Sequence, residues 1–542
     1  MRKTTFALVA SVVTLNLMLA ACATPAPPPV PTTPTTPKTS PTTPTPKASP
    51  APTVTPAATP QYGGVFKLGS RISPRGFYPG PGPGLIANQS WPIYDGLMRY
   101  DAKGNLQPWL ATDWKLSTDL KSLTLTLRKG IKFHDGTDFN AAAAKSALEE
   151  RKAGMFADLD SVTSISIIDD YSVRLNLSAF QNTLFNNLAS LTSWIYSPTA
   201  VQKNGREWAQ WNPVGTGPFK FVRYDLGQVA RYERFDAYWQ KGKPYLDGVH
   251  TVFISDETTL RLAFEKGEVD ALTGVATDTV VQLRKKGKFN EWLPLANITA
   301  LYPDSANADS PFANRKVREA VDHAIDSMSI AEGLGYGTWE GSKQIAASSM
   351  PAYVPGLDRK YDTAKAKQLL AEAGYPNGFK TTVWARTIGS QEALVAVVTY
   401  LKAVGIDAEL QIVPISRYVE LQQRGWKNSL LVGAVTTGGT ALPDWLATVN
   451  SQFPAKGVGG GISIARSSAW QALLEQALVA TDPETQKQLS QQLVRMNHDE
   501  AMAIVAYIYS RGFVAHKNAR NAESAWSDVP SDGTGADIWL SK

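Results

Sequence analysis

The stretch His134-Asp135-Gly136-Thr137-Asp138 places one imidazole and two carboxylates within a few positions of one another. These groups are the usual ligands of zinc and of harder cations. The stretch also follows an apolar run, and an Asp-Gly pair is typical of a tight turn after a strand. We therefore interpret it as a turn, with metal binding as the less favoured alternative.

A second grouping, Gly80-Pro81-Gly82-Pro83-Gly84, has the glycine content of a phosphate-binding loop. Such a loop binds phosphate through backbone N–H groups, which proline lacks. The pattern therefore predicts a surface loop.

Motifs of known catalytic chemistry are absent from the sequence. It contains no G-x-S-x-G, H-E-x-x-H, P-loop or C-x-x-C motif, and its five histidines lie far apart in the chain. We expect no catalytic residue, no metal site and no cofactor. An extracytoplasmic hydrolase stays as a weaker alternative, because the absence of a motif does not exclude an enzyme.

The only cysteine of the 542 residues, Cys22, lies directly after a segment with the order of a secretory signal. Basic residues in Met1–Lys3 precede a mostly apolar run, Phe6–Met18, which is shorter than the roughly 20 residues that span a bilayer. Leu19–Cys22 resembles a bacterial lipobox, in which the signal is cut before the cysteine and the thiol is acylated. We predict a signal peptide over 1–21 and a lipid on Cys22; the alternative is an ordinary signal peptide.

Residues 22–60 are rich in proline and threonine, and only Lys38 and Lys47 are charged. This composition cannot bury a core and favours an extended, disordered chain. At about 3.1 Å per residue it would reach on the order of 100 Å. We interpret the segment as a tether between the lipid and a folded domain.

The rest of the chain, 61–542, is long enough for two or three domains at roughly 150 residues each. A hydrophobic content of 43% and an aromatic content of 10% supply large cores. The formal net charge of +6 is spread along the sequence, so nucleic-acid binding is not expected.

Hydrophobic patterning indicates mixed α and β structure. Apolar and polar residues alternate at Leu123, Leu125 and Leu127, and again at Ile131 and Phe133. This alternation predicts a hairpin that turns at Lys129-Gly130. The stretch SISIIDDYSVRLNL predicts a second hairpin that turns at Asp169-Asp170.

Two helices have clear start signals. Asp362 is a predicted N-cap, with Gly374 as the predicted end of that helix. Asp482 is a second predicted N-cap, and Pro483 follows it at the first helical position.

Several stretches together resemble one protein family. QPWLATDWKLSTDLKSLTLTLRKGIKFHDGTDFNAAAAKSALE (107–149) is similar to the signature of the extracytoplasmic solute-binding proteins, family 5, which are peptide- and nickel-type receptors of ABC importers. Residues 212–239, 310–326 and 361–379 also match, in the order the family has them. The resemblance extends over essentially all of 61–542.

The resemblance implies an α/β, periplasmic-binding-protein-like fold with two lobes. Domain I would comprise 61–296 and 509–542, with an extra subdomain at about 105–200. Domain II would comprise 297–508.

Two crossing segments, Asn297–Tyr302 and Tyr509–Phe513, would act as the hinge. Ligand would then bind in the cleft between the lobes, a common place for a pocket. Closure around the ligand would be the signal to the permease.

The family also implies that a loop of domain II, here Gly433–Leu446, faces the ligand. We expect the loop Tyr78–Leu85 to supply contacts from domain I. Peptide-binding members often carry an acidic residue in the second loop to pair with the ligand's α-amino group. Here Thr436, Thr437, Gly438 and Gly439 take the place of such a residue, and the closest carboxylate is that of Asp444, after Pro443. Because a buried ammonium group without a carboxylate partner is costly, this argues against a free peptide N-terminus. Trp445 could stack on a ligand or fill the core. The predicted ligand-binding residues are Tyr78, Thr436, Thr437, Gly438, Gly439, Asp444 and Trp445.

The function that the resemblance implies is capture of a peptide or peptide-like solute by a monomeric, lipid-anchored, extracytoplasmic receptor, which delivers the solute to ABC permease subunits. Receptors for a nickel chelate, an opine or a glycoside are alternatives on the same fold. A structural surface lipoprotein would need no cleft.

Overall fold

The computed structural model describes residues 59–79, 90–101, 104–154, 159–386, 390–436, 442–453, 462–525 and 535–542. Cys22, the tether and the stretch Gly80–Gly84 lie outside these residues, so their interpretation stays a prediction. None of the described helices combines the length and the apolarity needed to cross a bilayer.

The described strands are short, and most have one buried face. They are β1 (Val65–Ser70), β2 (Met98–Tyr100), β3 (Leu106–Pro108), β4 (Ala111–Leu116), β5 (Ser122–Leu127), β6 (Val162–Asp169), β7 (Ser172–Leu177), β8 (Phe219–Asp225), β9 (Val229–Arg234), β10 (Gly248–Phe253), β11 (Ala271–Val275), β12 (Phe289–Trp292), β13 (Leu295–Pro303), β14 (Phe379–Arg386), β15 (Ile406–Val413), β16 (Ser429–Thr436), β17 (Ile504–Ser510), β18 (Gly512–His516), β19 (Ala519–Arg520) and β20 (Trp539–Leu540).

Most of the longer helices begin after a Ser, Asn or Asp whose side chain accepts a hydrogen bond from the first turn. The described helices are α1 (Ala141–Lys152), α2 (Thr183–Leu188), α3 (Pro198–Asn204), α4 (Arg206–Trp211), α5 (Glu257–Glu265), α6 (Thr277–Arg284), α7 (Arg315–Ala324), α8 (Ser327–Gly335), α9 (Thr363–Glu372), α10 (Gln391–Ala403), α11 (Ile415–Arg424), α12 (Leu442–Gln452), α13 (Ser468–Val479) and α14 (Pro483–Glu500).

The strands form two large sheets, which define two lobes. A seven-stranded sheet has the order β12-β18-β11-β1-β10-β9-β8, and a five-stranded sheet has the order β15-β14-β16-β13-β17. We call the described residues before Pro294 and after Arg511 lobe I, and those between them lobe II. Each sheet packs against its own buried apolar side chains, so each lobe has a core of its own.

The central strand of lobe I is the first of the described strands. β1 pairs in parallel with β10 on one side and with β11 on the other. Its alternate residues Phe66 and Leu68 are fully buried, which explains why this N-terminal segment is held in the middle of the sheet. The chain also ends in this lobe, where the backbone N–H of Lys542 donates to Oε1 of Gln61 over 3.1 Å.

A smaller antiparallel sheet within lobe I, in the order β4-β5-β7-β6, tests both predicted hairpins. The second prediction is confirmed, because β6 and β7 pair around a turn that brings Asp169 opposite Ser172. The first is wrong: β5 pairs with β4 and β7, and both of its edges are therefore occupied. Lys132, in the segment expected to pair with β5, instead forms an isolated bridge with Asp138.

Lobe II contains both helices whose caps the sequence predicts. Asp362 accepts a 2.8 Å hydrogen bond from Lys365 N at the start of α9, and Gly374 just beyond this helix has φ +92°. Asp482 accepts a 2.8 Å bond from Thr485 N at the start of α14. These predictions are confirmed, since the capping chemistry is local in sequence.

The chain crosses between the lobes twice, and the two crossing segments remain side by side. Trp292 pairs with Phe513 on the lobe I side, and Leu295 pairs with Ser510 on the lobe II side. Between them Arg511 N donates to Pro294 O over 3.3 Å. The return crossing lies within the predicted hinge Tyr509–Phe513, whereas the first crossing precedes Asn297–Tyr302, which lies inside β13.

Candidate ligand site between the lobes

One short helix of lobe I contacts two helices of lobe II. α2 packs against α12, and Asn182, the residue just before α2, hydrogen-bonds to the C-terminus of α13. Asn182 and Asn186 are four positions apart, so they lie on the same face of α2. This face and the helices it touches form a seam between the lobes.

Asp444 lies at this seam, in the first turn of α12. Burial raises the pKa of its carboxyl group to about 6, although a hydrogen bond with Asn186 of lobe I acts in the opposite direction. Its Oδ2 atom is buried and has no hydrogen-bond partner among the described residues. A buried carboxylate oxygen in this state is able to accept a bond from a further donor.

Tyr100, the last residue of β2, is a second lobe I residue close to the Asp444 carboxylate. Its pKa is raised by burial and, second, by the negative charge of Asp444. The Tyr100 hydroxyl is also buried without a hydrogen-bond partner among the described residues. The seam therefore brings together one unpaired polar atom from each lobe.

The β2–β3 ribbon that carries Tyr100 is held in place by a buried carboxylate. Asp95 is 1% exposed and accepts four hydrogen bonds from neutral side chains. The donors are Trp109 Nε1 at 2.7 Å, Thr216 Oγ1 at 3.1 Å, Trp239 Nε1 at 3.2 Å and Tyr238 OH at 3.3 Å.

Two guanidinium groups complete this cluster: Arg99 lies 3.9 Å from the Trp109 ring centroid and Arg128 lies 4.5 Å from that of Trp239. Burial raises the pKa of Asp95 to about 6 in spite of the four donors. Sequence reasoning did not identify Asp95 as a buried carboxylate. The one feature that could have indicated it is its position in the stretch YDGLMRY, between apolar and aromatic residues.

The predicted loop Gly433–Leu446 is only partly a loop. Gly433 belongs to β16, where a Cβ atom would lie 2.0 Å from the Tyr302 ring. The backbone of Thr436 ends this strand opposite Asn297. Thr437, Gly438 and Gly439 lie outside the described residues, so their role as ligand contacts stays a prediction.

Trp445 fills the core of lobe II. It is fully buried, and its indole N–H donates to Ile345 O over 2.7 Å. Of the two roles that the sequence leaves open, these contacts support packing.

Tyr78 makes its polar contacts inside lobe I. Its hydroxyl donates to Glu150 Oε2 over 2.6 Å, and the Tyr196 hydroxyl donates to the same carboxylate. The Arg206 Nε atom lies 2.7 Å from Glu150 Oε1. Burial, with these neighbours, raises the pKa of Tyr78. None of the Tyr78 contacts within the described residues reaches Asp444 or Tyr100.

The stretch His134–Asp138 forms a turn, as predicted. Asp135 Oδ1 accepts from Thr137 N over 3.0 Å, its Oδ2 accepts from Ser197 Oγ over 2.6 Å, and Gly136 has φ +85°. His134 is bonded to Gly217 O over 2.9 Å, and burial lowers its pKa to about 4. The described residues contain no group of three or more side chains suited to hold a metal ion.

Comparison with known proteins decides the family. Residues 105–454 match the model of the bacterial extracellular solute-binding proteins, family 5, middle region. The chain belongs to this family. Its members are receptors of ABC importers, so the resemblance found in the sequence is confirmed.

Among curated relatives, the glutathione-binding protein GsiB of Pectobacterium atrosepticum is 31% identical over 351 residues, which cover 62% of this chain and 67% of that protein. Among solved structures, DppA of Helicobacter pylori in complex with the peptide STSA has a TM-score of 0.75 at 23% identity and covers 89% of this chain and 99% of its own. NikA of Brucella suis in complex with Fe(III)-EDTA has a TM-score of 0.74 at 24% identity, over 88% of this chain and 100% of its own. This chain therefore has the two-lobed fold of the periplasmic binding proteins.

Proposed function

We propose that this protein is a lipid-anchored receptor that captures a peptide or peptide-like small solute between its lobes and delivers it to the permease of an ABC importer. Membership of family 5 supports the receptor role. The proposed solute class follows relatives that are named for glutathione or were solved with a peptide.

The observation that supports the solute class is a pair of polar atoms at the seam that have no hydrogen-bond partner in the described part of the chain. Asp444 Oδ2 comes from lobe II and the Tyr100 hydroxyl from lobe I. A buried carboxylate oxygen without a hydrogen-bond donor is costly, and an ammonium group would supply N–H donors and the opposite charge. A solute with a cationic group at this place would contact both lobes at once.

Contact with both lobes also explains how capture would change the shape of the receptor. A ligand that binds the closed arrangement better than an open one shifts the population toward closure. The lipid on Cys22 and the tether over 22–60 would keep this event at the membrane surface, where the permease is located.

The experiment that tests the proposal is mass spectrometry of the protein purified from its native host under non-denaturing conditions. We expect a co-purified solute of peptide-like composition that carries an amino group, and calorimetry with the same compound should then give one binding site per chain. A sugar, or a metal chelate without a cationic nitrogen, as the specific solute would overturn the proposed class. A protein that binds no small solute at all would overturn the receptor role.

A further inference from the structure

Helix α13 of lobe II ends without a cap of its own. Its C-cap residue, Ala480, has extended backbone angles, φ −64° and ψ 131°. The last carbonyl groups of any helix lack intrahelical partners, and a following glycine in the left-handed conformation is a common solution. Here Thr481 follows Ala480, so the carbonyls at the end of α13 need partners from elsewhere.

Gln486 of lobe II donates to Ala480 O over 2.8 Å, and Asn182 of lobe I supplies three further hydrogen bonds to this helix end. Its backbone N–H donates to Leu478 O over 2.7 Å. Its side-chain Nδ2 donates to Ala477 O over 2.6 Å and to Ala480 O over 3.1 Å. Asn182 is fully buried by this contact. One residue of one lobe thus caps a helix of the other.

From its position in the sequence, Asn182 would be expected to cap α2 rather than to contact lobe II. It precedes α2 as the N-cap residue, where an Asn side chain ordinarily accepts a bond from its own helix. In the structure it makes no such bond, and the amide is directed across the seam instead. The side chain therefore stabilises contact between the lobes rather than the start of α2.

We infer that Asn182 is a clasp between the lobes, which favours their contact without touching the solute and so sets how tightly the solute is held. Asn186, one turn later on α2, bonds to Asp444. The clasp and the proposed solute position are therefore attached to the same helix. When only part of a population is competent to bind, the apparent affinity falls by that fraction.

One polar atom of the clasp is left without a hydrogen bond, which makes the contact between the lobes easier to open. Asn182 Oδ1 is buried and has no hydrogen-bond partner among the described residues. An unsatisfied buried acceptor destabilises the arrangement that buries it. Opening of the seam hydrates this oxygen together with the Ala477 and Leu478 carbonyls that Asn182 otherwise contacts.

The test measures the distance between the lobes in the absence of any ligand, so its outcome does not depend on the proposed solute. In the full-length chain carrying Cys22→Ser, spin labels would be placed by Gln202→Cys on α3 and Lys367→Cys on α9, both of which are exposed. Asn182→Asp places an oxygen against two carbonyl oxygens. Asn182→Ser keeps a side chain that is able to cap α2 but does not reach α13.

The matched control is Asn176→Ala. It also removes an amide that donates two hydrogen bonds, to Ser164 Oγ at 2.9 Å and Ser166 Oγ at 3.1 Å, but both partners lie within lobe I. We expect both Asn182 variants to shift or broaden the distance distribution toward open forms, while Asn176→Ala leaves it unchanged. Folded Asn182 variants with the distribution of the parent protein would overturn the clasp. So would an equal shift in the control, because any loss of hydrogen bonds would then have the same effect.

A second readout links the clasp to binding. With the solute identified by mass spectrometry, Asn182→Asp should accelerate dissociation about tenfold and leave association nearly unchanged. A failure to find a solute would count against the proposed function alone, whereas normal dissociation together with an unchanged distance distribution would count against the clasp alone.

Discussion

The indole N–H of Trp109 donates to Oδ1 of Asp95 over 2.7 Å, at a carboxylate that is almost wholly removed from solvent. The pKa of Asp95 is nevertheless raised, to about 6, because burial outweighs its four hydrogen bonds. At pH 5, for example, Asp95 is therefore mostly protonated in the folded state, whereas it is mostly ionised in the unfolded chain, where its pKa is near 4.

The first prediction follows from the sign of this shift. Between about pH 4 and pH 6 the folded state binds more protons than the unfolded state, so the contribution of Asp95 to stability falls as the pH rises through this window. The loss is at most about 3 kcal/mol for a shift of about two units. Asp444, whose pKa is raised to about 6 as well, acts in the same direction.

Asp95→Asn should remove the Asp95 part of this dependence. It should also lower stability by about 1–3 kcal/mol at pH 4 to 5, because the amide NH₂ faces indole N–H donors. Denaturant titrations between pH 4 and pH 7 measure both effects, with Asp236→Asn as the control since its side chain is 92% exposed. Identical pH profiles for Asp95→Asn and the parent protein would contradict this account.

The second prediction concerns the carboxylate at the seam. A cationic solute pairs with Asp444 only when the carboxyl group is ionised, so affinity should rise as the pH rises through about 6 and then level off. Asp444→Asn should weaken binding by about 10- to 100-fold at pH 7.5 and flatten this profile. Calorimetry with the co-purified solute measures both, again with Asp236→Asn as the control. An Asp444→Asn protein that binds like the parent at every pH would remove this residue from the site.

The third prediction concerns the anchor. Cys22→Ser should release the protein from membranes and leave its melting temperature unchanged, because the residue precedes the folded lobes. Fractionation of cells that express both forms gives the answer. If the variant remained wholly in the membrane pellet, acylation of Cys22 would not be what holds the protein there.

The fourth prediction concerns the tether. A chain that starts at Gln61 should melt within about 2 °C of the mature protein, since a Pro- and Thr-rich segment of this composition does not pack into a core. The truncation keeps the contact between Gln61 and Lys542. A melting temperature lower by many degrees would mean that residues before Gln61 belong to the fold.

Sequence reasoning succeeded where the determining chemistry is local. Asp362, Asp482 and the Asp169-Asp170 turn each act on residues only a few positions away, so their patterns are readable without a structure. The hairpin expected after Leu127 failed because alternation shows that a strand forms but not which strand pairs with it. β4 and β7 occupy both edges of β5, and neither partner is specified by the turn at Lys129-Gly130.

The seam could be predicted only in part. The resemblance to the family pointed to Asp444, but it gave no indication of Tyr100 or Asn186, which come from distant parts of the chain. Asn182 carries the sequence signal of an N-cap, and only the approach of α13 shows that its amide is used elsewhere. Trp445 was ambiguous because a buried indole and a ligand-stacking indole have the same signal in sequence.

The two crossing segments have one more consequence. Trp292 with Phe513, Pro294 with Arg511 and Leu295 with Ser510 form a single hydrogen-bonded ribbon from one sheet to the other. Two independent connections could slide past each other, but paired strands must bend together or break their ladder. The lobes should thus open and close without sliding, and one intramolecular distance is enough to follow the opening.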